Sequence, residues 1–328
     1  MRNPGADLRR ALGGVAVVVA ALVAASCGGG EPTTRFHASR VIALGDESSM
    51  LVDSGDHNAR KYSVNATVSD TDQTVVCANN PLWVQSVATF YGLVFPECNA
   101  ANPVASPVAR IRAQFGARAA DLAAQIDAQN AESAIQAGDM VTVMVGMYDV
   151  LAAYQQYPTV SEPELIAAVE AAGAETGRQV NRLTDMGAKV LLATIFDMGV
   201  TPFAVAERAA NADTDRAALL SRLTFRYNAE MRATIVNDGR RIGLILMDEF
   251  VTEVAKVPGF GGFANSTTGV CDLTKSAFVP PSALDCTAQT FISGGNATYF
   301  WADDLHLSAT GQGSLATLAL NRAQNNPF

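Results

Sequence analysis

Four short apolar runs without polar alternation constrain this chain most. They are Val41–Leu44 (VIAL), Met140–Val145 (MVTVMV), Lys189–Phe196 (KVLLATIF) and Ile242–Met247 (IGLILM). A strand with one wet face alternates apolar and polar residues. A run with no such alternation suits a strand buried on both faces, as in a parallel sheet between helical layers. Helical patterns separate the runs, over Leu82–Tyr91, Gln114–Ile135, Ser161 to about Asp185, Thr214–Asn237 and Thr310–Ala323. The third carries its own start signal, because Ser161-Glu162-Pro163-Glu164 combines a serine cap, an early proline and a glutamate three residues on. This alternation predicts an α/β fold, a three-layer α/β/α sandwich with a parallel central sheet.

The first 26 residues read as an export signal rather than as fold. Arg2, Arg9 and Arg10 precede an apolar stretch, Ala11–Ala24, that is short for a membrane span. Ala24-Ala25-Ser26 then leads into Cys27 in the manner of a bacterial lipobox, so Cys27 is the expected lipidation site. Residues 28–37 begin Gly-Gly-Gly-Glu-Pro and form an expected tether, leaving residues 38–328 as the domain. The expectation is an exported protein held in the cell envelope by lipid on Cys27. Gly28 after the cysteine points to the outer membrane, facing the periplasm or the surface. The net charge is −9, and loss of the leader, with three Arg and one Asp, makes it more negative still. Such a chain repels nucleic acid and anionic membrane surfaces, so no nucleic-acid partner is expected.

Four further cysteines, Cys77, Cys98, Cys271 and Cys286, suit an exported chain with two disulfides. Three pairings are open, of which Cys77 with Cys98 and Cys271 with Cys286 is the simplest because each closes a short loop. No Cys-x-x-Cys spacing supports zinc, and Asp53–Asn58 lacks the spacing of a calcium loop, so neither metal nor cofactor is expected. The long loops Asp53–Asn80, Glu97–Val108 and Gly259–Phe300 lie where α/β enzymes place their sites.

Of three histidines, His37 sits by the tether and His57 in a polar loop. His306 differs, because Asp303 three residues before it can hold the imidazole tautomer while the other ring nitrogen faces a reacting group. The first apolar run ends in Gly45-Asp46-Glu47-Ser48, a strand-end turn carrying a hydroxyl.

Together these segments resemble the SGNH/GDSL esterase and lipase family over nearly all of residues 38–328. VIALGDESS is similar to its first block, usually Gly-Asp-Ser. Lys61–Asn65 and Pro81–Leu93 resemble what usually follows. VTVMVGMYD (Val141–Asp149) resembles the block normally written Gly-x-Asn-Asp, and FWADDLH (Phe300–His306) matches the last block. The resemblance implies an ester hydrolase acting on small acyl or acetyl esters of lipid or envelope glycan. It implies His306 as general base, Asp303 as its orienter, Ser48 as nucleophile, and Tyr148 with Gly146 at the oxyanion. The departures imply a remodelled site. Glu47 stands at the nucleophile position and is the alternative reacting residue, Tyr148 replaces an asparagine, and Ser106-Pro107 stands where a glycine amide is expected, proline having no N–H to give. The alternative function is a non-catalytic envelope lipoprotein that kept the fold as a binding or structural module.

Overall fold

The computed structural model describes residues 35–100 and 103–325. The expected export signal and Cys27 lie outside the described residues, as does most of the expected tether. The body described below lies within His37–Phe328.

In chain order the body comprises β1 (Arg40–Gly45), β2 (Leu51–Val52), β3 (Arg60–Lys61), α1 (Trp83–Phe90), β4 (Arg110–Ile111), α2 (Leu122–Glu132), β5 (Asp139–Met144) and α3 (Met147–Tyr154). It continues with α4 (Glu162–Asp185), β6 (Lys189–Ala193), α5 (Pro202–Ala210), α6 (Arg216–Thr234), β7 (Ile242–Ile245), α7 (Met247–Lys256), β8 (Asn265–Gly269), β9 (Tyr299–Trp301) and α8 (Ala309–Asn325). The main sheet has the order β4-β1-β5-β6-β7 with every pair parallel. The four apolar runs supply its four longest strands, and β5 is buried at every position. Helices α1 and α8 pack together on one face, while α2, α4 and α6 pack on the other. The fold is the three-layer α/β/α sandwich that strand–helix alternation implies.

Two expectations are corrected. Gln114–Ile135 is not one helix: Gly116 takes a left-handed φ of +73°, Arg118 is extended, and α2 begins only at Leu122 after a single 3₁₀ turn. The Ile242–Met247 run is a strand only to Ile245, and Met247 opens α7. Short elements α3, α5 and α7 were not distinguished by periodicity, since eight to ten residues barely exceed two helical turns.

Residues 60–65, within the loop Asp53–Asn80, tie that loop to the long loop before β9. Arg60 bonds the carbonyl of Leu284 and the carboxylate of Asp285, and Asn65 bonds the carbonyls of Leu284 and Cys286. Lys61 is fully buried, and its ammonium donates to the carbonyls of Cys77, Asn79 and Asn80 at 2.6–2.9 Å. Burial pulls Lys61 down to about 7. Three accepting carbonyls nevertheless require three N–H donors, which only the ammonium form has. The cysteines pair locally, Cys77 with Cys98 and Cys271 with Cys286. Each disulfide therefore lies beside a carbonyl gripped by residues 60–65.

Replacing Lys61 by Met leaves three buried carbonyls without their donor. The expected loss of stability is about 3 kcal/mol, read from the denaturant midpoint at unchanged m-value.

Candidate active site

The carboxyl ends of β1 and β5 meet at the point where chain order in the sheet reverses, the place where open α/β sheets form their crevice. Gly45 ends β1 at φ +119° beside Met144 of β5; a Cβ there would lie 1.8 Å from the Met144 carbonyl oxygen, so only glycine fits. The Gln125 side-chain amide brackets Gly45, accepting from its N–H and donating to its carbonyl. The chain then turns into a single 3₁₀ turn, Glu47–Ser49, capped by Asp46 Oδ1 accepting from Ser48 N–H.

This turn decides which side chain faces the histidine. Glu47 is completely buried, and its Oε1 lies 3.1 Å from His306 Nε2. Ser48 follows about a third of a turn away around the 3₁₀ axis. Its hydroxyl makes no hydrogen bond to His306; of the two candidate reacting residues, Glu47 is the one that meets the imidazole. Ser49 is spent elsewhere, its hydroxyl accepting from the Trp83 indole N–H.

Three donors converge on the Glu47 carboxylate. Tyr148 Oη donates to Oε1 at 2.5 Å, the Gly116 amide donates to Oε2 at 3.0 Å, and His306 Nε2 donates to Oε1. Tyr148 is the second residue of α3, and Gly146 caps that helix at φ +125°, where a Cβ would strike the Tyr227 ring at 2.3 Å. Gly146 makes no bond to Glu47. It sets the start of α3, and the backbone amide that meets the Glu47 carboxylate is that of Gly116. Ser106-Pro107 precedes the edge strand β4, Arg110–Ile111, and Gly116 lies five residues beyond that strand. An isolated glycine inside an apparent helix was the available signal. Asp149 secures the arrangement by accepting from the Ala119 amide, which ties the Gly116 turn to α3.

His306 is held from the other side by Asp303, whose carboxylate lies 2.8–2.9 Å from Nδ1 and also accepts from the Leu305 and His306 amides. Both ring nitrogens thus face carboxylate oxygens, a geometry satisfied when both carry protons. Burial pulls His306 down, but Asp303 and Glu47 outweigh it and raise the group to about 10. Burial raises Asp303, yet the imidazolium and its hydrogen bonds hold the carboxyl below its ordinary range. Burial, then Glu47, lifts Asp46 to about 8, which fits the absence of any partner at its buried Oδ2. Burial and then Glu47 also push Tyr148 well above the usual phenol range, keeping it a proton donor.

Aromatic rings cover the carboxylate. Tyr62 lies 5.4 Å from the His306 ring and stacks on Phe115 at 5.2 Å, and Phe115 meets Tyr148 edge-on at 5.9 Å. Sequence reading placed Tyr62 in a family-like segment without assigning it a part. His57 stands apart, in an exposed left-handed turn beside Asp53, and His37 packs edge-on against Tyr91. Among the described residues no group of three or more His, Cys, Asp or Glu is arranged to hold a metal ion.

No family model matches the chain, and no curated protein matches it. Among solved structures it is similar to an acetylxylan esterase from Geobacillus stearothermophilus at 14% identity, covering 88% of this chain and 96% of that one, with a TM-score of 0.41. It is also similar to a GDSL-like lipase from Parabacteroides merdae at 11% identity, covering 89% and 98%, with a TM-score of 0.41.

His306 has a raised folded value, so its contribution to stability is complete below its unfolded value near 6.5 and is lost as pH rises through about 10. Unfolding free energy of the parent, taken relative to His306→Gln, therefore falls across that window. In ¹⁵N imidazole spectra His306 carries both protons at neutral pH, and Glu47→Gln moves its titration from about 10 back toward neutrality.

Proposed function

We propose that this domain has the scaffold of an SGNH-type ester hydrolase with its acyl-handling position filled by Glu47, so that the chain acts without ester turnover, as a binding or structural module of the envelope. One observation carries the reading: Glu47 takes up the donors that an ester reaction would need. Glutamate has the heavy-atom run of an acetylated serine, with Cβ, one bridging atom, then a trigonal carbon bearing an oxygen. Its Oε2 on the Gly116 amide stands where a carbonyl oxygen would sit in an oxyanion hole, and its Oε1 blocks the imidazole. With His306 raised to about 10, the neutral imidazole needed for general-base work is on the order of one molecule in a thousand at pH 7.

A second reading, hydrolysis of small acyl or acetyl esters of lipid or envelope glycan, is favoured by the survival of the Asp303–His306 pair beside the Tyr148 and Gly116 donors. In it Glu47, or Ser48 after a rearrangement of the turn, reacts with the ester.

Glu47→Ser separates the two. It removes the carboxylate, frees both donors and returns His306 to a single carboxylate partner. The first reading expects no hydrolysis of nitrophenyl acetate by the parent, a gain of about a hundredfold or more over the parent's background in Glu47→Ser, and its loss in Glu47→Ser/His306→Ala. Turnover by the parent that His306→Ala abolishes supports the second reading and sinks the first.

The envelope location rests on the sequence. With Cys27 acylated, the chain partitions with membranes, and Cys27→Ser releases it to the soluble fraction while the leader is still removed.

A further inference from the structure

A cavity of about 520 Å³ lies away from Glu47, and none of Glu47, Tyr148, Asp303 and His306 lines it. Its walls come from the loop before α1, the long loop before β9 and the first turn of α8. Both loops are cross-linked by disulfides, one through Cys77–Cys98 and the other within itself through Cys271–Cys286. Residues 60–65 bond to both, so the cavity is held open in advance of any ligand. Preorganisation of that kind lowers the cost of binding.

The lining is chemically one-sided. Phe291 gives a half-buried apolar floor, packed against the core cluster around Cys271 and Cys286 in which Val64 and Val270 are buried. The polar groups are amides and hydroxyls, with Asp70 the sole charged side chain, already bonded to Gln289. Two amides from different loops keep capacity in reserve. Asn80 donates to the Val64 carbonyl but its Oδ1 accepts nothing, and Asn296 accepts through Oδ1 from Thr298 but its Nδ2 donates to nothing among the described residues. One spare acceptor and one spare donor thus border an apolar floor, in a lining with a single charge on a chain of net charge −9.

We propose that this cavity binds a neutral oligosaccharide. A pyranose ring has an apolar C–H face to lie on Phe291, and hydroxyls that both donate and accept, which amides match. An anion would leave its solvation with no countercharge to meet it, a cation would meet only the Asp70 carboxylate that Gln289 already engages, and an acyl chain would desolvate the two amides without returning their hydrogen bonds. The inference goes beyond the reading of Glu47 and stands whether or not that site turns over.

Calorimetric titration of the full chain with chitotetraose, cellotetraose and maltotetraose tests it. At least one sugar is expected to bind saturably, one per chain, with affinity insensitive to salt. Ala297→Trp, at an exposed lining position, fills the cavity and should weaken that binding by about tenfold or more. Asn296→Ala, also exposed, should weaken it by a smaller factor, and it keeps the test valid if the tryptophan variant misfolds. Failure of all three sugars to bind overturns the proposal. So does binding that both variants leave unchanged, or equal binding of a neutral tetrapeptide.

Discussion

One buried carboxylate organises this site. Glu47 accepts from a phenol, a backbone amide and an imidazole, and each donor is supplied by a different part of the chain. Burying a carboxylate without partners is costly enough to forbid it, so these three bonds are conditions of Glu47 being there at all. They also bind α3, the Gly116 turn and the His306 loop to the end of β1. The site thereby fixes its surroundings as much as they fix it.

The arrangement depends on backbone features laid down earlier in the hierarchy. The β1–β5 register places Gly45 opposite Met144, and the two chains can approach there only because Gly45 has no Cβ. The bracket of Gln125 on both polar groups of Gly45 then fixes the peptide that launches the turn. Gly146 does the same for α3 against Tyr227. The strand end and its turn thereby present Glu47 to the imidazole and to the Gly116 amide.

Much of this was legible in the sequence, and the remainder was hidden for identifiable reasons. Apolar runs marked the long strands because burial on both faces leaves no polar alternation, and the Ser161 capping motif marked α4. Asp303 and His306 could be paired because their spacing is local. Gly116 could not be found that way. Its partner is 69 residues distant, and alanine-rich sequence on its C-terminal side carries a helical pattern through the turn that its positive φ breaks. The choice between Glu47 and Ser48 was equally hidden, because adjacent residues on a short 3₁₀ turn point in different directions and the sequence does not state where that turn begins. The roof of Tyr62 and Phe115 joins two loops with no periodic pattern.

Charge accounting explains why Glu47 and Tyr148 belong together. Asp46, Glu47, Asp303 and His306 lie within one buried cluster, and with all four ionised it would carry one cation against three anions. Burial and Glu47 raise Asp46 to about 8, so near neutrality it is largely protonated and leaves that sum. The remaining excess negative charge is spread over Gly116, Tyr148 and the Leu305 and His306 amides. A phenol contributes one strong O–H at 2.5 Å to Oε1, and without it that oxygen would rest on the imidazole alone. Glu47 and Tyr148 are therefore two halves of one electrostatic solution. The first introduces a buried charge that the second helps to hold.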